Sequence, residues 1–291
     1  MAAGEALPAI ESALYVVATP LGNLRDLTLR ALDVLAGVDL IAAEDTRVTH
    51  VLLAHHRITT RTLSLHEHNE RARVGRIIDL LAAGGSVALV TDAGTPALSD
   101  PGALLVDAVL AAGHRVVPVP GPSAVAAALS VSGVTAPEWL FCGFLPAKAA
   151  ARRRVLTRLS AYPFALVFYE APHRIAAAVA ALAETLGPNR TLVIARELTK
   201  RFESIHRCRL DEAAAWLAAD PDRLRGEFVL IVDAPPASAT QSSEDNANDA
   251  VLEALLAELP LAKAVRVAVA VTGAPRNVLY RRALALRSGR E

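Results

Sequence analysis

Short runs of β-branched and aliphatic residues alternate with longer amphipathic runs along most of this chain, and that alternation limits the fold more than any other feature. Leu14–Ala18 reads as a strand and Thr28–Ala36 as a helix, and Asp39–Ala43 with Val48–His55 repeats the pair. Thr62–Leu65 with Glu70–Ala83, Ser86–Thr91 with Ala103–Ala112, and a further strand at Arg115–Val119 continue it. Gly84, Gly85 and Gly113 stand just past helix ends, where glycine closes a helix. Strands alternating with helices build βαβ units, so a mostly parallel sheet covered on both faces is expected. Val87–Val90 is apolar throughout, as a strand buried on both sides must be.

A second series follows Pro137. Trp139–Gly143, Ala165–Tyr169, Thr191–Ala195, Ser204–Arg209 and Glu227–Val232 read as strands, and Arg152–Ser160, Ile175–Leu186 and Asp211–Ala218 as helices. Strands follow strands more closely here, which predicts a mixed sheet. The expected organisation is an α/β domain over 13–120, a second α/β domain over 121–233, an acidic flexible linker over 234–250 and a small helical tail over 251–291. The linker is rich in Pro, Ser and Asn and poor in large apolar residues. The tail reads as three short helices, Val251–Leu259, Ala262–Val271 and Asn277–Leu286, punctuated by Pro260, Gly273 and Pro275.

With 291 residues the chain is long enough for two domains and an appendage. No apolar run reaches the roughly 18 residues of a membrane span. Met1–Ser12 carries Glu5 and Glu11 and no basic stretch, unlike a secretory leader. The two cysteines, Cys142 and Cys208, make neither a disulfide framework nor a metal-binding pair, so a reducing cytoplasm is the expected home. Thirty basic residues balance thirty acidic ones, which excludes a protein that coats nucleic acid through its net charge. RNA binding, if present, rests on local arginines, since the lysines are only Lys148, Lys200 and Lys263.

Ligands of open α/β sheets bind beyond the carboxyl ends of the strands. Four such loops hold unusual chemistry. The first, Thr19 to Asp26, is small and polar, and neither GxGxxG nor GxxxxGK[ST] occurs in the chain. The second, Thr91 to Gly102, offers Asp92 to a ribose or an amine, lets a ligand approach the backbone at Gly94, and places Asp100 where it would cap the following helix. The third, Pro120 to Ala124, opens an apolar helix with Ser123 and Ala124, either to admit a flat aromatic ligand or with Ser123 as a plain N-cap. The fourth joins Tyr169, Glu170, His173 and Arg174 to Arg196, Glu197, Lys200 and Arg201, on two strand ends expected to lie side by side. Charge this dense beside buried strands is either functional or a paired ion network. His55-His56 and His66-x-His68, with Glu67 and Glu70, are a weak metal pattern without a cysteine partner, and no metal is expected.

TPLGNLRDLT, AEDTR, HEHNE, TDAGTPALSDPG, PGPSA, GFLP, YEAPHR and RELTK occur in this order between Leu14 and Val232, and PLAKAVRVAVAVTGAPRNVLYRRAL follows in the tail. Together they resemble the ribosomal RNA small-subunit methyltransferase I family, the 16S rRNA cytidine 2′-O-methyltransferases of the tetrapyrrole-methylase superfamily. The resemblance implies two α/β domains with a cofactor cleft between them, a small C-terminal helical unit, S-adenosylmethionine as cofactor, a homodimer, and cytidine 1402 of 16S rRNA in the small ribosomal subunit as target. It also implies that Pro20, Asp92, Ala93, Gly94 and Thr95 line the cofactor, that Ser123 and Ala124 border it, and that Tyr169 and Glu170 close the site.

A ribose hydroxyl is a weak nucleophile, so a base or an orienting group is expected. Lys200, with its pKa lowered by nearby arginines, is the favoured base; Glu170 and Glu197 are the others, and the alternative is that all three only orient Arg174 and Arg196. Arg25, Arg47, Arg174, Arg196 and Arg201 are the expected RNA contacts, with Arg152 to Arg154 as either phosphate contacts or a solvated helix face. The Gly273 turn before Pro275-Arg276-Asn277 suggests a helix-turn-helix-like tail. A methylase acting on a tetrapyrrole and a non-catalytic assembly factor are the competing readings.

Overall fold

In the computed structural model residues 10–288 are described, residues 237–247 and Ser288 by their backbone alone. The leader reading of Met1–Ser12 therefore falls mostly outside the described residues. The chain divides into two compact units, one ending at Asp233 and one beginning at Ala234.

The first unit holds two five-stranded sheets. In the first, β1 (Leu14–Val17), β2 (Leu40–Ala43), β3 (Thr62–Ser64), β4 (Val87–Val90) and β5 (Val116–Val119) lie in the order β3-β2-β4-β1-β5. Every pairing is parallel. Side chains alternate between two cores. Ile41, Ala88 and Val90 meet α1 (Leu29–Gly37) and α2 (Thr46–His55) through Leu35 and Leu52 on one face. Leu14, Val87 and Leu89 meet α3 (Glu70–Ala82) and α4 (Ala103–Ala111) through Ile77 and Leu105 on the other. Two buried faces explain why β4 shows no polar alternation. Because β4 inserts between β1 and β2, the loops that follow β1 and β4 emerge side by side.

The second sheet is mixed, as the strand spacing predicts. β6 (Trp139–Phe144), β7 (Ala165–Glu170), β8 (Thr191–Arg196), β9 (Ser204–Arg209) and β10 (Phe228–Val232) take the order β6-β7-β10-β8-β9. Only β6 and β7 are parallel. α5 (Ala124–Ser132) packs Val125 and Ala128 on one face. α6 (Ala149–Leu159), α7 (Ile175–Leu186) and α8 (Leu210–Ala218) cover the other around Phe168 and Leu182.

The sequence places the ends of β7 and β8 side by side; the structure does not. The ends of β7 and β8 are not neighbours, because β10 lies between them, with Phe228 paired to Glu170 on one side and Arg196 on the other. All five residues of β10 are buried, which suits a central strand.

The second unit consists of α9 (Ala237–Glu258), α10 (Leu261–Thr272) and α11 (Arg276–Ser288). Leu252, Val265, Ala268, Leu279 and Ala283 form its core. The segment whose composition predicts an irregular linker is helical from Ala237 onward. It contains neither Gly nor Pro, and Pro235-Pro236 set its start, so polar composition alone does not break the helix. Gly273, at φ +71°, makes the left-handed turn between α10 and α11. No described helix is long and apolar enough to cross a membrane.

Candidate active site

The loops after β1 and β4 are joined by backbone hydrogen bonds. The Thr19 N–H donates to the Gly94 carbonyl (2.8 Å) and the Gly94 N–H donates back (2.9 Å). The buried Thr19 hydroxyl donates to the Thr91 carbonyl at 2.9 Å. Beyond Gly94 the second loop carries Ala97 and Ser99 at φ 66° and 70°, a left-handed conformation that costs a residue with a side chain about 1–3 kcal/mol. Glu70 offsets this by holding the loop's far end. Its buried carboxylate accepts from the N–H groups of Gly102 (3.1 Å) and Leu105 (2.9 Å), at the start of α4. HEHNE thus supplies a helix cap from another element, and the capping expected of Asp100 belongs to Glu70. In the same motif, Asn69 bridges the His66 N–H, the His66 ring and the Ser64 carbonyl. Among the described residues no group of three or more His, Cys, Asp or Glu side chains is placed to hold a metal ion.

A cavity of about 370 Å³ lies between these loops and the second sheet. Asp92, Ala93, Gly94 and Thr95 line it from one side; Ser123, Ala124, Tyr169 and Glu170 line it from the other. Ser123 occupies the N-cap position of α5 with no side-chain capping bond. Tyr169 meets Phe141 and Phe144 edge-on, with ring centres 4.9 and 5.6 Å away, and burial raises the pKa of its hydroxyl.

The cavity is acidic. Glu44, Asp100 and Glu227 also line it. The Glu44 carboxylate accepts from the Thr91 hydroxyl (2.6 Å) and the Asp92 N–H (3.3 Å), while Asp92 accepts from the Asp45 N–H (3.1 Å). Burial, followed by the charge of Glu44, pushes Asp100 up to about 6. Burial also raises Asp92, and the charges of Glu44 and Asp45 add to it. Carboxylates that repel one another in a confined space favour a cationic ligand. A ligand with positive charge and a flat ring fits this lining.

Glu170 is 2% exposed. Burial raises its pKa against the Ala171 N–H, which donates at 2.9 Å, and against Arg174, whose Nε lies 3.0 Å away. Arg174 also donates to the Leu145 carbonyl. Arg196 donates to the carbonyls of Arg225 (2.7 Å) and Phe202 (3.3 Å). Both arginines are thus engaged with the backbone. Arg152 is likewise buried against the Pro146 and Ala147 carbonyls, so the run from Arg152 to Arg154 is not one solvated face. Arg25, Arg47 and Arg201 are exposed. Arg47 pairs with Asp45 at 2.6 Å, and Arg201 lies over the Phe202 ring.

Lys200 departs from expectation. Its ammonium lies 2.9 Å from Glu197 and 2.8 Å from Glu227. Burial alone would lower its pKa, but the two carboxylates outweigh burial and hold it above the usual lysine value. The lowered pKa required of a base is therefore not found. Glu197 is drawn down by Lys200 against the effect of burial. The Lys200 stem crosses Gly22, where a Cβ would fall 2.2 Å from Lys200 Cγ. A second hollow of about 470 Å³ adjoins the first and is lined by Pro20, Lys200 and α2; the two share Leu21, Thr91, Asp92, Ala93 and Glu227. Pro20 therefore faces this second hollow rather than the first. Glu44 and Glu227 escaped the sequence reading. Glu44 stands at the carboxyl end of β2, where the rule that singled out Asp92 would have found it. Glu227 precedes an antiparallel strand and carries no such signal.

A doubly wound parallel sheet followed by a mixed sheet is the fold of the tetrapyrrole-methylase class of α/β protein. The family described as Tetrapyrrole (Corrin/Porphyrin) Methylases matches residues 13–214, and the RsmI C-terminal HTH domain matches residues 242–287. The fold is similar to uroporphyrin-III C-methyl transferase from Thermus thermophilus, solved in complex with S-adenyl homocysteine: TM-score 0.54 and 19% identity over 76% of this chain and 97% of that one. The chain belongs to the ribosomal RNA small subunit methyltransferase I family within this class. Relatives bearing that name are 47% identical in Vibrio cholerae, over 92% of this chain and 93% of the relative, and 50% identical in Xylella fastidiosa, over 92% and 97%.

Proposed function

We propose that this protein transfers a methyl group from S-adenosylmethionine to the 2′-hydroxyl of a cytidine ribose in 16S rRNA of the small ribosomal subunit, at the cytidine 1402 implied by its motifs. The acidic, small-residue cavity at the joined β1 and β4 loops carries the reading. The names of the relatives support an rRNA acceptor, and the complex of the Thermus thermophilus protein supports the cofactor. When bound, S-adenosylmethionine supplies a methyl group activated by a positively charged sulfonium. Glu44, Asp92, Asp100 and Glu227 favour that charge; Ala93, Gly94, Ser123 and Ala124 leave room along the backbone; Tyr169 and Phe144 offer ring contacts.

The ribose proton needs an acceptor. Lys200 is a charged ammonium and Glu197 is committed to it. Asp92 lies on the wall common to both hollows, and its raised proton affinity suits the task. Lys200 orients Glu227, and Glu170 orients Arg174 and the start of α7. Arg25, Arg47 and Arg201 contact phosphates. A ribosomal substrate supports a cytoplasmic location, and we propose a homodimer there. The test is to incubate the protein with methyl-labelled S-adenosylmethionine and small subunits from a strain lacking this activity, then map the label by nuclease digestion and mass spectrometry. Label on one cytidine ribose is expected. Cofactor binding without label on subunits or naked rRNA would point to another acceptor, a tetrapyrrole first among them.

A further inference from the structure

The second hollow, about 470 Å³ against about 370 Å³ for the first, has a lining of a different kind. Pro20, Leu21 and Leu24 form one side; Val48, Val51 and Leu52 of α2 form the other. Val51 is 62% exposed and Val48 44%, so this apolar slot is open. Hydrogen-bonding groups gather along one edge, where the Lys200 ammonium lies 2.8 Å from the carboxylate of Glu227, a residue of the shared wall. Three exposed arginines adjoin the lining in the chain: Arg25 follows Leu24, Arg47 precedes Val48 and Arg201 follows Lys200. A slot with two apolar sides, one polar edge and cations outside has the chemistry of a site for an unstacked base whose phosphates stay at the rim.

The polar edge has a sense. Lys200 presents a donor beside the acceptor of Glu227. Cytosine presents an exocyclic amino donor beside ring acceptors, whereas uracil presents a carbonyl where cytosine has the amino group. A carboxylate accepts from the cytosine amino group and repels the uracil carbonyl.

We propose that the hollow between the β1 loop and α2 receives the base of the acceptor nucleotide, and that Glu227, positioned by Lys200, selects cytosine over uracil by accepting a hydrogen bond from the exocyclic amino group. This rests on the proposed function, because it supposes an RNA acceptor. The shared wall at Asp92 and Ala93 then brings the ribose of that nucleotide against the methyl donor's cavity.

The test uses small subunits reconstituted with 16S rRNA bearing cytidine or uridine at the target, with kcat/KM for each. The wild-type protein should favour cytidine by roughly 5- to 150-fold, the range one base-edge contact provides. Glu227→Gln, whose amide offers either a donor or an acceptor, should bring the ratio close to one; reading a ratio cancels any effect on the cofactor. Val51→Trp, at an exposed position, should fill the slot and cut RNA methylation about 100-fold or more while calorimetric cofactor binding and Tm stay unchanged. An unchanged ratio in Glu227→Gln would overturn the role of the carboxylate, and full activity in Val51→Trp would overturn the slot. If the wild-type protein methylates neither RNA, the proposed function itself falls.

Discussion

Asp100 carries its charge at a cost. Burial and the neighbouring carboxylates push it up to about 6, so the folded protein binds this proton more tightly than the unfolded chain does. The contribution of Asp100 to folding is therefore fully present below the unfolded value of 3.8, is lost as pH rises from there through about 6, and is level above that. A cationic ligand prefers the ionised carboxylate, so cofactor affinity should rise with pH through about 6 and level off above it. Calorimetry across that range checks this, and Asp100→Asn should flatten the profile. Asp92 belongs to the same group, but the proposal gives it a proton to accept. Asp92→Asn should keep the Asp45 N–H contact and lower kcat by roughly 10²- to 10⁴-fold. A raised KM with kcat and the single-turnover rate unchanged would remove Asp92 from that role. At Lys200 the sequence misled for a plain reason. Its chain neighbour Arg201 and nearby Arg196 argue for a lowered pKa, but the carboxylate of Glu227, 27 residues away, reaches it in space. The sign of a pKa shift depends on distance in the fold.

At the scale of elements, the strands and helices of the first unit were legible because each carries its own hydrophobic period, although several caps are absent or, as at α4, come from another element. Thr28, read from the sequence as the first helical residue, is in the structure the N-cap of α1, its side chain accepting from the Ala31 N–H. The order of strands was not legible. β10 enters between β7 and β8, a pairing over long sequence separation that no local pattern encodes, and it is this insertion that brings Glu227 to the site. Two loop contacts make the site dependent on such distant partners. Gly22→Ala would drive a Cβ into the Lys200 stem and displace the ammonium from Glu197 and Glu227. RNA methylation should fall at least about tenfold, the equivalent of roughly 1.4 kcal/mol. Lys200→Met in the Gly22→Ala background should add little further loss, and full additivity of the two would dissociate them. Glu70→Ala leaves the Gly102 and Leu105 N–H groups buried without their acceptor. It should cost about 2–3 kcal/mol in denaturant unfolding and weaken cofactor binding, because the loop that Glu70 holds lines the cavity. Unchanged cofactor affinity in a destabilised variant would confine Glu70 to stability.

Across the whole molecule, a net charge of zero conceals a division of labour. Residues 261–288 carry Lys263, Arg266, Arg276, Arg281, Arg282 and Arg287 and no carboxylate, whereas α9 carries Glu244, Asp245, Asp249, Glu253 and Glu258. Arg282 is turned inward to Asp249 by hydrogen bonds of 2.6 and 2.7 Å, which ties α11 to α9. Arg266, Arg276 and Arg281 remain exposed. The second unit has its own core, and the site is built entirely from residues of the first. A change of charge in the tail should therefore alter RNA binding and leave the methyl donor's cavity untouched. Replacing Arg266, Arg276 and Arg281 with Glu in the full chain should raise KM for small subunits while cofactor affinity stays at its wild-type value. The dependence of binding on salt should weaken as well, by about 0.7 in the log–log slope for each phosphate of a single-stranded segment that is no longer neutralised. If KM and the salt slope both stay at wild-type values, these arginines do not touch the RNA, and Arg25, Arg47 and Arg201 at the rim of the hollow must supply the electrostatic attraction alone.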